Sequence, residues 1–163
     1  MVYPGEGRGN RGTTTAAAGG KSDGEPNKLK VAYTNVDGLL SSILEIKDYL
    51  SSEKPDVFCM TETKLKEEIN VNFQLEGFKL WRRDRKGKGG GGGVLIMVKE
   101  DIAVEGVQYG DGMAEVISII IRNNERDRRK IIVAYVPPRT NTWKLEEYKT
   151  MQKEVLKCLA DNL

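Results

Sequence analysis

Asn35 and Glu62 each stand where an apolar stretch ends, and an amide beside a carboxylate is donor chemistry suited to a hard metal ion or a phosphate. Asn35 follows the run Lys28–Thr34, and Glu62 follows Asp56–Thr61; both runs have the length and composition of strands. Between them Leu39, Leu40, Ile43, Ile46 and Leu50 recur at helical spacing. Ser51-Ser52-Glu53-Lys54-Pro55 ends that helix, because the residue before a proline avoids the α region. Strand, helix and strand make a βαβ unit, whose right-handed crossover sets the two strands parallel. Their carboxyl ends then share one edge of the sheet, where α/β proteins bind ligands, and Asn35 and Glu62 converge there. Plainer roles stay open: Asn35 can cap the helix or close an Asx turn, and Glu62 can be a solvated carboxylate paired with Lys64.

The elements that position this edge continue with strands over Phe78–Trp81, Val94–Val98, Ile102–Glu105, Glu115–Ile121 and Lys130–Val136. Asn123-Asn124 begins a hairpin turn, so local pairing is antiparallel and the sheet is mixed. Tyr135 closes the last strand, either as a core residue with a wet hydroxyl or as a third group reaching the edge of Asn35 and Glu62. A final helix carries Leu145, Tyr148, Met151 or Gln152, Val155, Leu156 and Leu159 on one face, with Asn141 and Thr142 as candidate N-caps. Residues 1–27 are rich in Gly, Thr, Ala, Ser and Pro without a hydrophobic period, and read as a disordered leader ahead of one folded unit over 28–163.

Arg82, Arg83, Arg85, Lys86 and Lys88, with Asp84 among them, give a local charge of +4 beside Trp81 and before Gly89–Gly93. Such a loop either attracts a nucleic-acid backbone or is a solvated turn. It lacks the ordered glycine-lysine pattern of a P-loop. Arg126-Asp127-Arg128-Arg129-Lys130, at the hairpin tip, reads as a solvated turn.

The net charge of +2, from 26 basic and 24 acidic residues, makes no global case for a nucleic-acid partner. With no histidine in the 163 residues, any chemistry falls to carboxylates, amides and hydroxyls. Cys59 and Cys158 have neither metal nor disulfide spacing and read as small hydrophobes in a reducing compartment. No apolar run approaches the roughly 20 residues of a membrane span. The pattern therefore reads as an intracellular protein without membrane contact or a small organic cofactor.

Taken in order, Val31–Leu39, Pro55–Lys64, Arg83-Asp84-Arg85 with Gly90–Ile96, and Val133–Pro138 resemble the endonuclease/exonuclease/phosphatase superfamily, in particular the endonuclease domain of non-LTR (LINE-type) retrotransposon polyproteins. The resemblance implies a partial four-layer α/β/β/α sandwich of the DNase I type, a mixed sheet with flanking helices that stops after the second main helix. It implies Mg²⁺-dependent (or Mn²⁺-dependent) hydrolysis of a phosphodiester in DNA, with a nuclear location and a reverse transcriptase domain as partner in the intact element. It assigns Asn35 to orienting a catalytic aspartate, to phosphate contact and to the metal site, Glu62 to metal ligation, and Tyr135 to contact with the scissile phosphate. Members of that superfamily go on to a Gly-Asp-x-Asn motif and an Asp-His pair. Neither is in this sequence, since Asp161-Asn162 follows Ala160 at a helix end. The expectation is therefore an amino-terminal part that does not cleave DNA by itself and leaves a sheet face exposed. A noncatalytic nucleic-acid-binding remnant and part of a phosphatase of the same superfamily are the alternatives.

Overall fold

The β-branched and apolar runs form two stacked sheets, because strands that are apolar on both faces need a layer on each side. The computed structural model describes residues 14–16, 28–68, 76–87, 89–124 and 127–161. The elements are β1 (Thr14–Ala16), β2 (Val31–Asn35), α1 (Ile43–Glu53), β3 (Val57–Thr61), β4 (Phe78–Arg83), β5 (Val94–Lys99), β6 (Ala103–Tyr109), β7 (Glu115–Asn124), β8 (Asp127–Tyr135) and α2 (Leu145–Ala160). The first sheet has the order β1-β2-β3-β5-β4 and the second β6-β7-β8. Only β2 and β3 run parallel, in the register Asn35↔Thr61; the other pairs are antiparallel.

Three cores separate four layers. Ala32, Phe58, Met60, Leu95 and Met97 pack under Leu39, Ile46 and Leu50 of the α1 region. Their strand neighbours Val57, Cys59, Val94, Ile96 and Val98 point the other way and meet Ile117, Ile119, Ile121 and Val133 between the sheets. Val116, Ile132 and Ala134 then pack against Tyr148, Met151, Val155 and Cys158 of α2. The order is helix, sheet, sheet, helix, as the resemblance implies. Strand β8 lies over β3 and β5, and β7 over β4 and β5, so the inner face of β2 is only partly covered. Tyr33 on that face is 44% exposed among the described residues.

Several local readings are corrected. Leu40 is not on the buried face of the first helix; it starts a single 3₁₀ turn, Leu40–Ser42, and is exposed, while Ser42 turns inward. Lys54 ends α1 in the left-handed region, its N–H donating to Leu50 O at 3.1 Å. In α2 the buried seam runs through Tyr148, Met151, Val155 and Cys158, leaving Leu145, Leu156 and Leu159 exposed. Its N-cap is Lys144, not Asn141 or Thr142, because the Lys144 N–H is taken up by the Glu147 carboxylate at 2.8 Å. Within the segment read as a leader, Thr14–Ala16 pairs antiparallel with β2; the rest of 1–27 and Lys88 lie outside the described residues.

Ile119 is fully buried at the sheet-sheet interface. Ile119→Ala is expected to cost about 2–5 kcal/mol of stability, read as a lower urea midpoint at constant slope. Burial also pushes the Cys59 thiol up to about 12, so at pH 8 it is protonated and closed to alkylation. Iodoacetamide should modify Cys59 only after denaturant opens the sheet stack; labelling in the native protein would contradict the packing.

Candidate active-site edge

The parallel register sets Asn35 opposite Thr61, so Glu62 emerges one residue beyond, at the same edge. The backbone there is bonded from both sides. Val36, Gly38 and Leu39 donate their N–H groups to Thr61 O, Glu62 O and Thr63 O at 3.0, 2.8 and 2.9 Å. On the other side Thr63 and Lys64 donate to Gly93 O and Gly92 O at 3.4 and 2.9 Å. This clamp holds Glu62 at φ 57° and Lys64 at φ 55°. The left-handed region costs a residue with a Cβ on the order of 1–2 kcal/mol, and such strain gathers at functional sites.

Two side chains meet at this edge, and Asn35 stands beside them at the end of β2. Tyr135 ends β8 on the face that carries Ile131 and Val133, and its hydroxyl donates to Glu62 Oε1. Burial and the adjacent Glu62 carboxylate raise the Tyr135 phenol well above its ordinary range, so it stays a neutral donor. Asn35 is exposed, and its Oδ1 accepts the Asp37 N–H at 3.1 Å, the Asx turn weighed from the sequence. Lys64 Nζ, weighed as a partner for Glu62, pairs with Asp37 Oδ1 at 2.5 Å.

The basic stretch is organised mainly inward. Arg83 donates from Nη1 to Ala114 O at 2.7 Å and from Nη2 to Gly112 O at 2.5 Å. Arg82 lies 3.3 Å from Asp84, whose carboxyl is raised by burial. Arg85 Nε donates to Glu115 Oε1 at 2.5 Å, and its guanidinium lies 5.7 Å from the Tyr135 ring centroid and 5.4 Å from that of Trp143. Lys86 is exposed. A cleft of about 640 Å³ has Arg82, Asp84, Arg85, Lys86, Tyr109 and Glu115 in its walls, and Asn35, Glu62 and Tyr135 are not among its lining residues. Glu115 and Trp143 were not among the residues singled out from sequence. A single acid opening the apolar run Glu115–Ile121 was the available signal for Glu115.

Glu62 and Asn35 together offer the hard oxygen donors that Mg²⁺ accepts, and Mg²⁺ commonly keeps several waters beside one or two carboxylates. Among the described residues no three His, Cys, Asp or Glu side chains gather into a cage. The donor set therefore fits a partly hydrated hard cation and not a closed structural site.

Residues 32–156 match the model of the Endonuclease/Exonuclease/phosphatase family, and the chain belongs to that family. No curated protein matches the sequence. Among solved structures, the chain is similar to the catalytic domain of Xenopus laevis APE2 (TM-score 0.63, 15% identity, covering 77% of this chain and 51% of that one). It is also similar to the AP endonuclease LMAP from Leishmania major (TM-score 0.56, 21% identity, 67% and 40% covered). A third similar structure is D. rerio TDP2 complexed with single strand DNA product (TM-score 0.55, 16% identity, 82% and 56% covered). At these identities the likeness is one of fold, a partial DNase I-type sandwich, and the chain spans about half the length of these structures.

The clamp makes a sharp mutational demand. A Cβ on Gly93, at φ 91°, would run into the Thr63 hydroxyl, and Thr63 is buried with no room to retreat. Gly93→Ala is expected to destabilise by about 1–3 kcal/mol, measured by urea unfolding, whereas Gly90→Ala, with open space around it, should be close to neutral.

Proposed function

We propose that this chain supplies the phosphate- and metal-binding edge of a divalent-metal-dependent phosphodiester hydrolase acting on DNA. The observation that carries the reading is the bond from the Tyr135 hydroxyl to the Glu62 carboxylate, at the strand-end edge where β2 also ends in Asn35, in a chain of this family. The D. rerio TDP2 structure holds a DNA product, which supports DNA as the substrate class.

Glu62 and Asn35 would hold the cation, Mg²⁺ or Mn²⁺, which when bound neutralises charge on phosphate oxygens. The Asn35 amide Nδ2 is a donor for a phosphate oxygen, while Oδ1, which accepts the Asp37 N–H with one lone pair, would offer its second to the cation. Tyr135 has a single proton, given to Glu62 in the free protein. By holding Glu62 Oε1, Tyr135 would leave Oε2 to the cation and set the phenol beside the phosphate that the cation binds. No histidine is available as a base among the 163 residues. We therefore assign the chain binding and orientation of the phosphodiester, and expect it not to nick DNA by itself. In the finer reading the intact activity is nicking of target DNA to prime reverse transcription, in the nucleus, by a retrotransposon polyprotein with a reverse transcriptase domain. The ordered motifs from Asn35 through Glu62 and the glycine run to Tyr135 support it.

Mn²⁺ titration followed by water-proton relaxation tests the site directly. Glu62→Ala should weaken Mn²⁺ binding at least roughly tenfold while leaving the melting temperature nearly unchanged. Equal affinity in the variant would place any metal elsewhere and remove the basis of the proposal. Supercoiled plasmid in Mg²⁺ should stay intact with the wild-type chain; nicking abolished by Glu62→Ala would show that a base is present after all.

A further inference from the structure

Arg85 and Glu115 form an ion pair that stability does not explain. Their side chains are 10% and 4% exposed, and they share one bond, Arg85 Nε to Glu115 Oε1. Among the described residues Arg85 Nη2 and Glu115 Oε2 are buried without a hydrogen-bond partner. Burying two charges is repaid only when the remaining donors and acceptors are also satisfied, and an apolar pair of like volume is often as stable or more so. The pair nonetheless shapes its surroundings, since any side chain on Gly92 would collide with both Arg85 and Glu115.

The geometry shows what the pair does. Glu115 is the direct cross-strand partner of Tyr135, so its carboxylate pins the guanidinium next to the Tyr135 ring. Arg85 then lies against the rings of Tyr135 and Trp143, at distances where a cation is attracted to an aromatic face. The Tyr135 ring ends in one directional contact, its hydroxyl on Glu62. A ring at the last residue of a strand, half-buried, would otherwise be free to turn about χ1. At 10% exposure Arg85 is also poorly placed to meet a nucleic-acid backbone.

We propose that Arg85, held by Glu115, is a positioning residue: it fixes the Tyr135 ring so that the hydroxyl stays on the Glu62 carboxylate. The inference rests on the reading of Glu62 and Tyr135 as the functional edge. It adds that the edge is set from the loop after β4 by a cation that acts through the Tyr135 ring.

The test uses the full chain labelled with ¹³Cζ-tyrosine, in which the Tyr135 resonance is the one missing from Tyr135→Phe. In Glu62→Ala that resonance moves to the position of a hydroxyl without its carboxylate. Arg85→Met should move it to the same position and leave the other tyrosines in place, at a lower melting temperature because Glu115 is left without its cation. If Arg85→Met alone fails to fold because Glu115 is left bare, Arg85→Met with Glu115→Leu removes both charges and is judged by the same criterion. A Tyr135 resonance unmoved in either folded variant overturns the proposal. The second measurement is a double-mutant cycle on Mn²⁺ affinity. Arg85→Met and Tyr135→Phe should each weaken binding about tenfold, and together no further, because one acts through the other. Additive losses would give Arg85 a separate role and overturn the proposal. A wild-type chain that binds no Mn²⁺ would defeat the metal reading of the edge, while the tyrosine resonance would still decide whether Arg85 positions Tyr135.

Discussion

The interleaving of Ile117, Ile119 and Ile121 with Val94, Ile96 and Val98 is the constraint on which the rest of this protein depends. Strand side chains alternate with a period of two, so fixing which face of β7 and β8 meets the first sheet fixes every residue along them. Val133 joins that interface, and two residues on, Tyr135 points the same way, now at the rim instead of the centre. A slip of one residue between β7 and β8 would aim Tyr135 at α2 and dissolve its bond to Glu62. The same stacking brings Glu115 beside Arg85, a residue of the loop after β4. Apolar packing thus determines where the polar groups meet, although it carries none of the chemistry.

At the rim the balance is reversed. Glu62 and Lys64 sit in left-handed backbone, and a buried ion pair leaves two polar atoms unmatched. Each is a local cost of the order that a single core side chain supplies. Such costs persist only if the surrounding structure over-determines them. Here that support is visible as the two-sided backbone bonding of residues 61–64 and as fully buried core residues on both faces of β3. The arrangement is one of stability in the layers and strain at the edge, as expected where a site must be pre-formed.

Much of this was legible in the sequence, for identifiable reasons. The β2–α1–β3 unit announces itself through two apolar runs, a helical period and a proline, all local signals, and the convergence of Asn35 with Glu62 follows from chain topology alone. What escaped were features set by contacts far apart in sequence. Leu156 and Leu159 have the right period for a buried face, yet α2 is rotated so that Tyr148, Met151 and Val155 meet the sheet. Thr14–Ala16 pairs with β2 through its backbone, which needs no hydrophobic pattern. Arg85 was hidden in a run of like residues. Only the fold distinguishes it from Lys86, its exposed neighbour, by setting Glu115 within reach of one and not the other.

The glycines beside the edge bear on how such a site is lost over generations. Gly92 and Gly93 tolerate no Cβ, for they face Arg85, Glu115 and Thr63 at closer than contact distance. Every single-base change in the first two positions of a glycine codon installs a Cβ or a stop. These two codons are therefore a mutational target beside Glu62, through which the frame of the edge would be strained instead of its carboxylate lost. A chain that keeps Gly92 and Gly93 thus keeps the frame around its carboxylate together with the carboxylate itself.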